Sequence, residues 1–197
     1  MEKIKPVLLN WLNELNEFEF PDYEKFPDIE LYMDQVITFL QRELRVLQTS
    51  SLDKVITSSM INNYVKGKVV SAPISKKYNK EHLALINETC SLKQVLSIAE
   101  IKQVLDQEYQ DTSKSEAFNS FKLLCKEEFN NAICLTNKEL EKIEDDNDIK
   151  QLTKLALNLS ITANAYITIA KRILYYNKKY ADMKEIKAEL NNIDNKE

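Results

Sequence analysis

The polar side chains with the most regular spacing lie in the nine residues from Ser58 to Lys66. Ser58, Asn62 and Lys66 recur at i, i+4 and i+8 with Ser59 and Asn63 beside them, so a helix there carries a ladder of hydrogen-bonding groups on one face. Met60, Ile61, Tyr64 and Val65 fall on the opposite side and can anchor it. Asparagine can bind an adenine edge bidentately in a major groove, and serine or lysine can reach bases and phosphates. The bland alternative is a capped connector helix whose polar face meets water. Charge bears on the choice: residues 51–103 carry a net +4, between −5 over residues 1–50 and −3 over residues 104–197. Six lysines, Lys54, Lys66, Lys68, Lys76, Lys77 and Lys80, supply most of that block. A localised cationic patch on a chain of net charge −4 suits a polyanion.

Other chemistries have little to work with. His82 is the single histidine and Gly67 the single glycine, where average usage would supply roughly 14 glycines. Phosphate-cradling loops and hairpin-rich sheets are thereby disfavoured. Neither a Gly-x-Ser-x-Gly elbow nor a His-Glu-x-x-His motif occurs. The paired acids Glu127-Glu128 and Asp145-Asp146 read as solvated helix ends. Cys90, Cys125 and Cys134 form no Cys-x-x-Cys and sit among apolar neighbours, so buried, reduced thiols are expected. No catalytic residue, metal site or cofactor is expected, and the chain is read as non-enzymatic. The apolar stretch Leu155 to Leu174 is broken by Asn158, Ser160, Asn164, Lys171 and Arg172, too polar for a bilayer span. With no secretory signal pattern at the start, a cytoplasmic location is expected.

The elements that must position these groups can be read from breakers and caps. The N-terminus reads as a short amphipathic helix. Pro21 and Pro27 keep Phe20 and Phe26 out of helical geometry, and a helix capped by Asp28 is expected to carry an apolar stripe from Ile29 to Leu47. Thr57 is the expected cap of the Ser58–Lys66 helix, with Gly67 as a left-handed stop. The segment around Pro73, ending in Lys76-Lys77-Tyr78, reads as an extended basic loop. Asn79 should cap a central helix with apolar residues on two faces. Ser97 with Glu100 forms a capping box for the next helix, to about Tyr109. Residues 110–115 are polar and mark the best internal boundary. A helix with Phe118 and Phe121 follows, Thr136 with Glu139 reads as another capping box, residues 144–148 form an acidic break, and the last helix has two apolar faces, as in a central helix or an oligomer seam.

Ile56 to Pro73, Lys76 to Leu83 and Leu96 to Lys102 together resemble the DNA-binding half of a MerR-type regulator over about 50 residues. Leu31 to Val36, Met60 to Tyr64 and Lys76 to Tyr78 resemble more closely a bacterial family, the domain of unknown function 1836, over nearly everything from Pro27 to Gln107. The regulator resemblance implies a recognition helix at residues 58–66, with Ser58, Ser59, Asn62, Asn63 and Lys66 outward, and a basic wing at residues 74–80, with Lys76, Lys77 and Tyr78 tracking phosphates. It places Tyr64 near that family's helix tyrosine, as a backbone contact or a packing residue; Tyr78 is favoured as a lock between wing and core. Lys68 and Lys80 complete the expected DNA-binding set. Two departures stand out: about nine residues separate the preceding helix stripe from the recognition helix, and the wing lacks arginine.

The expectation is therefore an all-α chain. Residues 1–109 would form a MerR-like winged helix-turn-helix and residues 110–197 a C-terminal helical bundle for dimerisation or effector binding. Double-stranded DNA is the expected partner and a homodimer the expected assembly, with transcriptional regulation as the activity. The alternative is a non-catalytic protein-interaction module on a degenerate winged-helix scaffold, in which Phe18, Phe20, Tyr23, Phe26, Tyr175, Tyr176 and Tyr180 are either contacts or core.

Overall fold

A computed structural model describes residues 3–48 and 54–194. Among these, seven α-helices and a two-stranded antiparallel sheet follow the order α1 (Ile4–Glu17), β1 (Leu31–Tyr32), α2 (Met33–Glu43), α3 (Ser58–Lys66), β2 (Lys77–Tyr78), α4 (Lys80–Leu92), α5 (Ile98–Glu108), α6 (Lys114–Glu141) and α7 (Ile149–Asp194). The chain is mostly helical. No helix among the described residues is long and apolar enough to cross a membrane.

Helix α4 lies at the centre. Eight of its thirteen residues are buried, on every side, and α2, α3, α5, α6 and β2 all pack against it. The helix starts as Asn79 predicts: Asn79 Oδ1 accepts from the His82 amide at 3.1 Å. Burial all round forces polar groups inside, where each unpaired one is costly. The Thr89 hydroxyl donates to the Leu85 carbonyl at 2.6 Å, and the Cys90 thiol to the Val55 carbonyl at 3.1 Å. The Tyr109 hydroxyl of α5 donates to Glu88 Oε2 at 2.8 Å. Burial nevertheless dominates at Glu88 and pushes its carboxyl up to about 8, with Glu108 adding to the rise and Lys114 opposing it.

The main core gathers Leu31, Val36, Leu40, Ile61, Tyr64, Tyr78, Leu83 and Ile86. Phe26 and Phe118 meet edge to face in it at 5.0 Å, so the first turns of α6 enter the same core as the N-terminal elements. Phe20 is buried there too, and Phe18 and Tyr23 pack against it. These aromatics are core rather than free contacts. Lys122 of α6 fastens the same segment by pairing with Asp22, whose carboxyl it and Lys25 hold down at about 2. A second core joins Leu12 and Leu15 of α1 to Ile133 and Leu140 of α6 and to Ile143. The acidic break caps α1 from below: the Asn147 side chain accepts from the Ile4 amide at 3.0 Å, and the Asp146 carbonyl from the Lys5 amide at 3.0 Å.

Several local expectations are corrected. Helix α2 begins at Met33, not at Asp28, because Leu31 and Tyr32 are held extended against Tyr78 and Lys77; the Tyr32 amide donates to Gln35 Oε1 at 2.9 Å and closes the start. It ends at Glu43 and gives way to a 3-10 turn, Arg45–Leu47. Thr136 caps nothing. It lies inside α6 and its hydroxyl bonds back to the Ala132 carbonyl at 2.8 Å, since no proline or glycine interrupts that helix. Cys90 is buried and Cys125 half-buried, both pushed up to about 11 by burial. Cys134, however, is exposed, on the outward side of α6. Gly67 ends α3 but with φ −75°, and the left-handed residue is Lys68, at φ 57°. The Lys68 amide donates to Val65 and the Val69 amide to Tyr64, a Schellman ending with Lys68 in the place glycine usually takes. Glycine is needed at 67 for another reason: a Cβ there would lie 2.3 Å from Ile98 Cγ2.

Two outcomes follow in urea unfolding. Gly67→Ala should cost about 1–3 kcal/mol, and a double mutant with Ile98→Ala should lose less than the two single losses together; strict additivity would mean that this contact is not what requires glycine. For Glu88, the folded chain holds a proton that the unfolded carboxyl, with its ordinary value of 4.5, releases. Stability from this group therefore falls as pH rises from 4.5 and levels off above about 8. Glu88→Gln should flatten that fall and exceed the parent in stability above about pH 8; a parent whose stability is level across the window contradicts the assignment.

Candidate nucleic-acid interface

The candidate interface is built on α3 and the turn before α4. Thr57 caps α3 as expected, its hydroxyl accepting from the Met60 amide at 3.3 Å. Ile61 and Tyr64 are driven into the core, which turns Ser58, Ser59, Asn62, Asn63 and Lys66 to solvent. None of these five side chains has a hydrogen-bond or ionic partner among the described residues. Ser59, Asn62, Asn63 and Lys66, with Met60 between them, border a shallow depression of about 390 Å³. The geometry is an outward polar ladder with a cation at its C-terminal end.

The basic segment is less uniform than its sequence. Ile74 and Lys77 exchange backbone hydrogen bonds at 2.9 and 3.1 Å around Ser75 and Lys76, which have φ 51° and 64°. This is a two-residue hairpin turn with both central residues left-handed, usually the province of Asn-Gly. The extended loop of the sequence reading is thus a tight turn whose second arm, β2, pairs with β1. Lys76 at the tip is exposed and free of partners among the described residues. Lys77 lies half-buried with its Nζ 5.5 Å from the centre of the Tyr32 ring. Lys80 is committed to the fold: its Nζ is 2.5 Å from Asp28 and 3.3 Å from the Glu24 carbonyl, and it lies over the Tyr23 ring. Lys68 is exposed beside the end of α3.

Neither tyrosine of the expected set faces a ligand. Tyr64 is 1% exposed and Tyr78 is 3% exposed, so the choice left open for Tyr64 falls to packing, and Tyr78 anchors the wing. Its ring meets His82 edge on at 5.5 Å. His82 in turn closes the base of this segment, with Nδ1 3.1 Å from the Asn79 amide, which donates to it, and Nε2 3.0 Å from the Ser71 hydroxyl. Sequence reading missed this role; the signal was present in Asn79 and His82 at capping-box spacing. Of eleven expected residues, the structure thus presents Ser58, Ser59, Asn62, Asn63, Lys66, Lys68 and Lys76 outward, leaves Lys77 half-covered, and occupies Tyr64, Tyr78 and Lys80.

A wider concavity lies elsewhere, about 1000 Å³ between α1 and the end of α2, lined by Trp11, Glu14, Glu17, Glu19, Arg42 and Glu43 among others. It is wide, and its lining mixes the acidic groups Glu14 and Glu17 of α1 with Arg42 and Arg45. Among the described residues no three His, Cys, Asp or Glu side chains stand close enough to share a metal ion.

Comparison with known proteins bears on the part of the chain that holds this interface. No curated protein and no solved structure matches the sequence. A family model, Domain of unknown function (DUF1836), matches residues 21–126. That stretch is more than half of the chain and runs from the aromatic segment before β1 through α3, the hairpin turn, α4 and α5 into α6. On this match the chain belongs to the DUF1836 family.

Proposed function

We propose that the chain is a MerR-like winged helix-turn-helix regulator that binds double-stranded DNA, with α3 as recognition helix and residues 74–80 as wing. The observation that carries the reading is the partnerless outer face of α3. Asparagines and a lysine held on a capped, core-anchored helix can meet base edges in a major groove without paying to leave other partners. Backbone conformation adds support. Lys68, Ser75 and Lys76 are the positive-φ residues among those described, a geometry glycine would adopt at lower cost. Two of the three carry lysine, as expected where the side chain has a use that repays the strain.

In this mechanism Lys66, Lys68 and Lys76 supply salt-sensitive attraction to phosphates, while Asn62 and Asn63 read bases. Lys77 assists from its place over Tyr32, and Lys80 acts by fixing the wing to Asp28. The proposed role needs no catalysis or cofactor, fits a cytoplasmic setting, and leaves the second half of the chain for assembly or an effector. Residues 44–57 separate α2 from α3, far more than the three- or four-residue turn of the usual motif; the helices here would be held in register by α4 instead. A second reading, a protein-interaction module on the same scaffold, is favoured by one observation: Tyr175, Tyr176 and Tyr180 of α7 are all exposed.

Fluorescence anisotropy against a pool of random duplexes, at low and physiological salt, tests the first reading. Affinity should drop steeply with salt. Replacing Lys66, Lys68 and Lys76 with alanine should weaken all sequences alike and reduce the salt slope by about 3, at roughly 0.9 per phosphate contact. Asn62→Ala or Asn63→Ala should instead relax the selected sequence preference, by about tenfold at one position. Absence of binding even at low salt assigns the surface to protein contacts.

A further inference from the structure

Helix α7 spans 46 residues, yet few of its apolar side chains meet the rest of the chain. Leu152 and Leu155 pack on the α1–α6 core, and Leu174 packs against the cluster on α5. Gln103 adds a hydrogen bond to the Leu174 carbonyl at 3.0 Å. α7 also carries Leu157, Ile161, Ala165, Ile169 and Ile173, spaced by four in a row that winds around the helix, and the four large members are each more than half exposed. Such a row is the ridge by which two helices interlock at about −50°.

We propose that this row is the seam on which α7 pairs, antiparallel, with α7 of a second copy, about a two-fold axis at Ala165. Three observations select this occupant. The first is area. The chain exposes 13785 Å², whereas a compact monomer of its 23.0 kDa mass exposes about 9,600 Å². The excess is several times the roughly 800 Å² that each partner buries in a stable dimer. The second is shape: the row is symmetric about its smallest residue. Antiparallel pairing sets Ile161 against the partner's Ile169 on both sides of the crossing, and alanine at the crossing point lets the backbones approach. The third is charge. Residues 155–170 carry no ionisable group except Tyr166, so a crossing at Ala165 buries no charged side chain. Antiparallel crossing also opposes the helix dipoles, which parallel pairing would align.

The seam lies outside residues 21–126 and is independent of the DNA reading. The test uses the full chain in a Cys134→Ser background, which removes the exposed thiol. Light scattering should give twice the 23.0 kDa chain mass. Ala165→Cys should yield a covalent dimer under mild oxidation, whereas Asn177→Cys, on another side of α7, should not. Ile161→Asp with Ile169→Asp should halve the mass while leaving the helical circular dichroism unchanged. A monomeric parent, equal cross-linking at both positions, or a dimer that survives the two aspartates overturns the proposal; if the aspartate variant fails to fold, the Ala165→Cys cross-link decides. DNA anisotropy on the same samples reads the other proposal separately.

Discussion

Everything near the candidate interface depends on enclosing α4. A helix buried on every side cannot be amphipathic, and its sequence accordingly has low contrast between faces, with His82, Asn87, Glu88 and Thr89 inside alongside Leu83, Ala84 and Ile86. Part of the cost of that burial is met by partners from other elements, Ser71 for His82 and Tyr109 for Glu88, whereas the Asn87 side-chain amide is buried without a hydrogen-bond partner among the described residues. Each such pair also tethers an element. The Ser71 contact fixes the segment that leaves α3, and the Tyr109 contact fixes the end of α5. Glu88 shows the limit of this compensation, because one donated hydrogen bond does not restore the solvation a carboxylate loses, and the group keeps its proton near neutrality.

Attachment to α4 explains which polar groups are free. Tyr64 and Tyr78 fill the space between α3, the hairpin and α4, and their burial turns the neighbouring positions outward at helical and strand spacing. The five outward groups on α3 are those the fold has no use for. Lys80 lies two residues beyond Tyr78 and is drawn into a pair with Asp28. The hairpin tip has no such neighbour, and Lys76 is left to solvent in a backbone geometry that side chains ordinarily avoid.

Helix α6 joins two parts with different character. Its first turns bring Phe118 into the main core, and its last turns bring Ile133 and Leu140 to α1. The family match ends at residue 126, within this helix. Beyond it many apolar side chains are left exposed, most plainly on α7, and this is the imbalance that the proposed pairing of α7 would relieve.

Local signals were legible wherever a short stretch of chain decides its own conformation. Thr57, Asn79, Ser97 and the acidic break all do what their types and spacing imply, because a cap satisfies amides only three residues away. The outward face of α3 was legible for the same reason: helical periodicity sorts its polar and apolar positions without outside help. What local sequence could not decide were matters of partner. Leu31 and Tyr32 have helix-compatible spacing, yet pairing with Lys77 and Tyr78 takes them into a strand. Thr136 and Glu139 have the pattern of a cap, yet α6 runs through them. Gly67 reads as a left-handed stop, yet Ile98 is what requires it. The six clustered lysines look alike in sequence, and only the tertiary structure separates Lys76, which meets water, from Lys80, which meets Asp28. Sequence thus determined the helices, their caps and the polar ladder through interactions within a turn or two; the tertiary structure decided strand pairing, burial and which charges remain free, because those depend on residues distant in the chain.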